Sequence, residues 1–348
     1  MHGIKIILIF CIVEKGECIP KVLNVKTNQF LNINYNNIRD ANHTDDIKFV
    51  LWLDSVNSNS MFCSYSIDGS LMIWLLGDNN SFNKYFIIKN IAEITSIEWN
   101  PIKKYLALSC LNNVNIIDLS LEELNTYTCI TLQKHLRIAS IAWSPDGRHI
   151  ALYNKKIEKS SKSKLGNLVS IWNTENPNSV ICVAVLDSLY QKVCYENNKI
   201  TGYGGRGTGQ ARRRKTESCT ETYYSSDFIS WSPDGKYITY NNNYEKSLII
   251  FELVKNNNSY STKNDKAFKC NFKNITSIIF DSLSENIICS SKDGKLQICN
   301  INSSDVKLYK TINRPINQIQ ISSNGKYLAV ASNTLDVLDY INDSSYKK

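Results

Sequence analysis

Apolar residues in this chain come in strand-sized runs, separated by breaks rich in Ser, Asn, Asp, Gly and Pro. The clearest stretch runs from Ile138 to Trp172. Ile138, Ile141 and Trp143 lead into Ser144-Pro145-Asp146-Gly147, where Pro presets φ, Asp bonds the backbone ahead and Gly accepts a positive φ. His149 to Tyr153 doubles back as a second strand. After a solvated Lys- and Ser-rich insert, Lys155 to Gly166, the run Leu168 to Trp172 makes a third strand and Val180 to Leu186 an outer one.

The outline recurs. Ile94 to Pro101, Phe228 to Gly235 and Ile275 to Asp281 repeat it, and weaker copies end on Trp52 and Ile321. Taking the aromatic or apolar residue before the turn as the mark gives positions 52, 99, 143, 231, 280 and 321. A step of about 40 to 45 residues with four strand-sized runs per unit is the signature of a β-propeller blade. The step from 143 to 231 is about twice as long, and the regular pattern lapses over residues 187–226. The expected fold is therefore all-β, a single propeller over residues 1–348. Seven blades are expected, the seventh supplied by the N-terminal strands or by a degenerate unit near 187–226.

On these residues the chain resembles the WD40-repeat proteins. In that family each repeat ends its third strand on Trp-Asp. Here the slot holds Trp74-Leu75, Ile117-Asp118, Trp172-Asn173, Phe251-Glu252, Cys299-Asn300 and Leu338-Asp339, so no intact pair survives. All six tryptophans sit at one of the two marks, four before the turn and two in the third strand. The resemblance also implies a buried structural tetrad in one repeat: His43 before the first strand, Ser64 in the second, Asp68 in the tight turn and Trp74 in the third. His135 occupies the corresponding place before Ile138. A network of this kind stiffens a blade when every polar member is satisfied, which makes these residues structural rather than catalytic.

The N-terminal run Ile6 to Val13 is too short to span a membrane, which takes about 20 residues, and it has no convincing signal-peptide cleavage site. It reads as a buried strand, followed by Val22 to Val25 and Phe30 to Tyr35. The first unit then has strands two to four without a first, while the last, Ile316 to Ile341, has three strands and no fourth. The N-terminal run is expected either to fill the missing outer strand of the last blade or to mark a missing N-terminal piece; an unpaired strand edge invites aggregation, which favours the first.

Composition adds limits. A hydrophobic content of 43% suits a globular core, and the net charge of +8, from 40 basic and 32 acidic residues, is too diffuse to mark a nucleic-acid binder. Eleven cysteines are scattered, with Cys63, Cys110 and Cys289 in apolar strand runs. No C-x-x-C pair or Cys/His cluster has metal-ligand spacing, so buried free thiols and a reducing, intracellular setting are expected, cytoplasmic or nuclear. Sequons such as those at Asn42 and Asn274 read as accidents of composition. Lys255 to Asp265 is Asn- and Lys-rich and is expected to be disordered.

Only four histidines exist, and none stands in a hydrolytic or metal-binding pattern. No catalytic residue, metal site or cofactor motif emerges. The glycines from Gly202 to Gly209 are not followed by the Gly-Lys-Ser/Thr of a P-loop. The unusual surface feature is this Gly-rich segment and its basic end, read as a mobile loop. Arg206, Arg212, Arg213, Arg214 and Lys215 are a candidate docking patch, and Thr216 and Ser218 are candidate phosphorylation sites beside it. The expected function is a non-enzymatic scaffold binding other proteins within a multisubunit assembly, without membrane or small-molecule substrate. The alternative is an RNA-associated translation or ribosome-assembly factor that uses the basic 204–216 loop.

Overall fold

The computed structural model describes residues 9–12, 21–24, 29–31, 33–34, 43–53, 61–76, 82–120, 125–132, 136–156, 168–176, 179–186, 195–196, 199–200, 228–242, 247–256, 259–269, 274–321, 325–332 and 335–340. They form a β-propeller of small antiparallel sheets, with no helix among them.

Three N-terminal strands, β1 (Ile9–Ile12), β2 (Lys21–Asn24) and β3 (Gln29–Leu31), make one sheet. A short strand, β4 (Ile33–Asn34), pairs in parallel with the outer strand of the first blade. That blade is β5 (Ile47–Leu53), β6 (Met61–Ser66), β7 (Leu71–Leu76) and β8 (Phe82–Ile88). The second is β9 (Ile94–Trp99), β10 (Tyr105–Cys110), β11 (Asn113–Asp118) and β12 (Asn125–Thr131). The third is β13 (Leu136–Trp143), β14 (His149–Lys156), β15 (Leu168–Asn173) and β16 (Ile181–Leu186). A two-stranded ladder follows, β17 (Tyr195–Glu196) with β18 (Lys199–Ile200). The fourth blade is β19 (Ile229–Trp231), β20 (Tyr237–Asn242), β21 (Ser247–Asn256) and β22 (Ser259–Lys269). The fifth is β23 (Ile275–Phe280), β24 (Asn286–Ser291), β25 (Lys295–Asn300) and β26 (Val306–Thr311). The sixth holds three described strands, β27 (Gln318–Ile321), β28 (Tyr327–Ala331) and β29 (Leu335–Asp339).

The first strands of consecutive blades lie side by side, β5 by β9, β9 by β13, β13 by β19, β19 by β23 and β23 by β27, and so form the inner wall. Both faces of each interior sheet are covered by a neighbour, which explains strands with runs of apolar residues instead of strict alternation. The core is accordingly five seams. Leu53, Ile73, Ile97 and Leu106 fill the first, and Ile116, Ile141, Trp143 and Leu152 the second. Tyr153, Ile171, Trp231 and Phe251 fill the third, Leu248, Phe280, Ile287 and Cys299 the fourth, and Ile288, Ile298, Ile319 and Val330 the fifth. Trp74, Ile117, Phe251 and Cys299, all in the degraded third-strand slot, are at most 1% exposed. Cys63, Cys110 and Cys289 are buried thiols outside any disulfide, and burial pushes the Cys63 thiol up to about 12.

Three expectations need correction. Among the described residues six blades are present, not seven: between β16 and β19 these residues supply only the short β17–β18 ladder. The N-terminal run does not complete the last blade among the described residues; β1 pairs with β2 and lies beside β5, at the inner wall. Residues 255–256 and 259–265 are not disordered. They lie in the hairpin of β21 and β22, the longest strands among those described, and the pairing continues from Ser247↔Lys269 to Asn256↔Ser259. Composition suggested solvent, but Tyr260 packs edge-on to Trp231 and anchors the hairpin.

Candidate functional site

The antiparallel order gives each blade two ends. At what we term the first rim, first strands turn into second and third into fourth. At the second rim lie the turns from second to third strand and the links to the next blade. The connections of residues 157–167 and 187–227 leave from strand ends at the second rim.

The second rim of the first blade carries the His43 network. Trp74 Nε1 donates to Ser64 Oγ at 2.9 Å, and Ser64 Oγ lies 2.8 Å from His43 Nε2. His43 Nδ1 lies 2.7 Å from Ser70 Oγ, which donates to Asp68 Oδ1 at 2.5 Å. The polarity of this chain is dictated from both ends, since indole N–H only donates and an ionised carboxylate only accepts. Ser70, donating to Asp68, must accept from His43 Nδ1–H, and with the imidazole neutral Ser64 then donates to Nε2. Burial lowers the His43 pKa, and the Asp68 charge only partly opposes it. Burial pushes Asp68 upward, but the Ser70 hydroxyl and the Thr44 and Ser70 amides outweigh it and hold the carboxyl at about 2.

His43, Ser64, Asp68 and Trp74 are thus brought together, with one member unforeseen. Ser70 stands between Asp68 and His43, whose Nδ1 is 3.8 Å from Asp68 Oδ1, beyond hydrogen-bond reach. The signal for it was the Asp-Gly-Ser turn, in which a hydroxyl two residues after Asp meets its carboxylate. Ser, His and Asp are also the residue types of a hydrolytic triad. Here Ser64 is fully buried and its oxygen is engaged by both Trp74 and His43, so the arrangement has no face open to a substrate.

At the first rim the Ser-Pro-Asp-Gly turns hold themselves and each other. Ser144 Oγ donates to Asp146 Oδ1 at 2.5 Å and accepts from the His149 amide at 3.0 Å. Ser232 repeats both bonds, to Asp234 at 2.6 Å and from the Tyr237 amide at 2.8 Å. Turn also grips turn. Asn100 Nδ2 donates to Gly147 O at 2.8 Å, and Gly147 has φ of 65° with Ile102 packed against it. The Pro145 ring lies against Gly235, the Asp234 amide donates to Ser284 Oγ at 3.1 Å, and Ser282 abuts Gly325.

A cluster missed in the sequence joins the third and fourth blades at this rim. Lys255 Nζ lies 3.1 Å from Asp146 Oδ2, and the Tyr260 hydroxyl lies 3.4 Å from Nδ1 of buried His149. Burial lowers the His149 pKa despite Asp146 at 3.7 Å. Burial raises Asp146, yet Ser144, the Arg148 amide and Lys255 overcome it and hold it at about 2. Because 109 residues separate Lys255 from Asp146, no local pattern announces the pair.

Glu98, on the inner-wall strand β9, is the other unforeseen group. No hydrogen bond to it is found among the described residues; its side chain is half-buried, and enclosure by the inner wall pushes its carboxyl up to about 8. No group of three or more His, Cys, Asp or Glu among the described residues is placed to hold a metal ion. Arg206, Arg212, Arg213, Arg214, Lys215, Thr216, Ser218 and His135 lie outside the described residues. No family model matches the chain and no curated protein matches it, so its kinship is argued from architecture alone.

Proposed function

We propose that this chain is a WD40-like propeller acting as a non-enzymatic, intracellular scaffold for other proteins within a multisubunit assembly. The observation that carries this reading is where the reactive side chains go. His43, Ser64 and Asp68 are consumed in holding one blade, and Asp146, His149 and Lys255 in joining two others. What is left accessible is a set of turns on rigid blades, a form suited to docking rather than to chemistry.

The test is affinity purification of the tagged full chain, with the bound proteins identified by mass spectrometry before and after nuclease treatment. A reproducible protein set that survives nuclease is expected. A set that collapses with nuclease, with binding that falls steeply as salt rises, would favour the RNA reading of the 204–216 segment instead.

A further inference from the structure

Along the first rim the turns of the second to sixth blades form a continuous arc, each gripping the next through the contacts of Asn100 with Gly147, Pro145 with Gly235, Asp234 with Ser284 and Ser282 with Gly325. This arc presents apolar side chains outward beside charged ones such as Asp146, Arg148, Lys236 and Glu285. Ile102 is 64% and Leu283 72% exposed, Pro233 is exposed between them, and Ile181 and Val254 are exposed at neighbouring strand ends. With Tyr327, five of the ten exposed large apolar side chains among the described residues stand at this rim, against Ile67 and Leu111 at the other. Single exposed apolar residues need no explanation, but their concentration on one rim does.

The charges of the arc narrow the choice of occupant. Lys255 is paired with Asp146 at 3.1 Å, Arg148 with Glu175 at 3.3 Å and Lys236 with Asp234 at 3.4 Å. An acidic ligand would compete with carboxylates already in place, whereas an uncharged one covers the exposed carbon and leaves every pair intact. The apolar points are spread over all five blades of the arc, which suits an extended segment rather than a single bulky anchor. The turns are also held by their own hydrogen bonds, so little ordering is needed on binding. We propose that the first-rim arc binds an extended, uncharged, apolar segment of a partner protein; this rests on the scaffold reading and assigns it a face.

The experiment selects a phage-displayed random peptide library on the immobilised full chain, then measures the enriched peptides against the wild type and the Ile102→Asp/Leu283→Asp variant. Enriched peptides are expected to be apolar and uncharged. Their affinity should fall at least tenfold in the variant and change little between ~0.1 M and ~1 M salt, over which the Debye length shrinks from about 10 to 3 Å. Acidic peptides with steep salt dependence, peptides indifferent to the variant, or no enrichment at all would overturn the proposal. Ile102→Ser/Leu283→Ser, checked by thermal unfolding, separates lost binding from lost folding. Co-purifying proteins that the variants still capture would remove the arc and leave the scaffold standing; the absence of any would remove the scaffold itself.

Discussion

Two tryptophans at equivalent marks show how little a residue's identity says without its surroundings. Trp143 fills the seam between the second and third blades at 6% exposure, and truncation to Ala should cost about 3 to 5 kcal/mol by chemical denaturation. Its Nε1 has no hydrogen-bond partner among the described residues, while Trp231 Nε1 donates to Gly235 O at 3.2 Å. Trp231→Phe is therefore expected to lose more stability than Trp143→Phe, by roughly 1 kcal/mol, the usual net worth of a hydrogen bond. Ser70→Ala makes the companion test in the first blade. It strips the buried His43 Nδ1–H of its acceptor and should cost about 1 to 3 kcal/mol. An unchanged unfolding midpoint would show that the Asp68 end of the network holds nothing.

Among the elements, the second-rim turns decide how closely a blade can pack. In the fifth blade Gly294 has φ of 80°, and a Cβ there would collide with the Ile312 carbonyl oxygen and stand 2.7 Å from that of Arg314. Gly235, in the first-rim turn of the fourth blade, has φ of 76° but meets only Pro145 Cγ at 3.5 Å. Both alanine variants share the left-handed backbone cost of about 1 to 2 kcal/mol. Gly294→Ala should cost clearly more, because the backbone that follows β26 and leads to the next blade must move. Equal losses in denaturant titration would show that this approach is soft. The β21–β22 hairpin teaches a related lesson: its Asn- and Lys-rich stretch is polar enough for a loop, and it is a strand because it pairs along its length with β21, broken only by a bulge at Lys263.

The whole molecule should titrate with opposing limbs. Asp68 and Asp146 sit at about 2 in the fold, below the ordinary 3.8, so their contribution is full above 3.8 and lost as pH falls toward 2. His43 and His149, held neutral below 6.5, also lose stability on acidification. Glu98 acts the other way. Its carboxyl ionises near 4.5 when unfolded and at about 8 when folded, so stability falls between those values as pH rises and levels off above. Glu98→Gln should therefore match the wild type near pH 4 and exceed it increasingly up to about pH 8 in denaturation series. A difference that is flat across this range would place the carboxyl in contact with water.

Much of the propeller was legible in the chain because a blade is a local object. Its strands are neighbours in sequence, its turns use Pro, Asp and Gly for their own dihedral preferences, and its apolar marks recur at a readable step. The spacing of His43, Ser64, Asp68 and Trp74 falls within one such unit, and so it could be found. What the tertiary structure alone decided lies between units. The number of complete blades, the inner position of β1, the grip of Asn100 on Gly147, the pairing of Lys255 with Asp146 and the isolation of Glu98 all depend on which blade lies against which. Packing sets those contacts across tens to more than a hundred residues, where neither period nor propensity carries information.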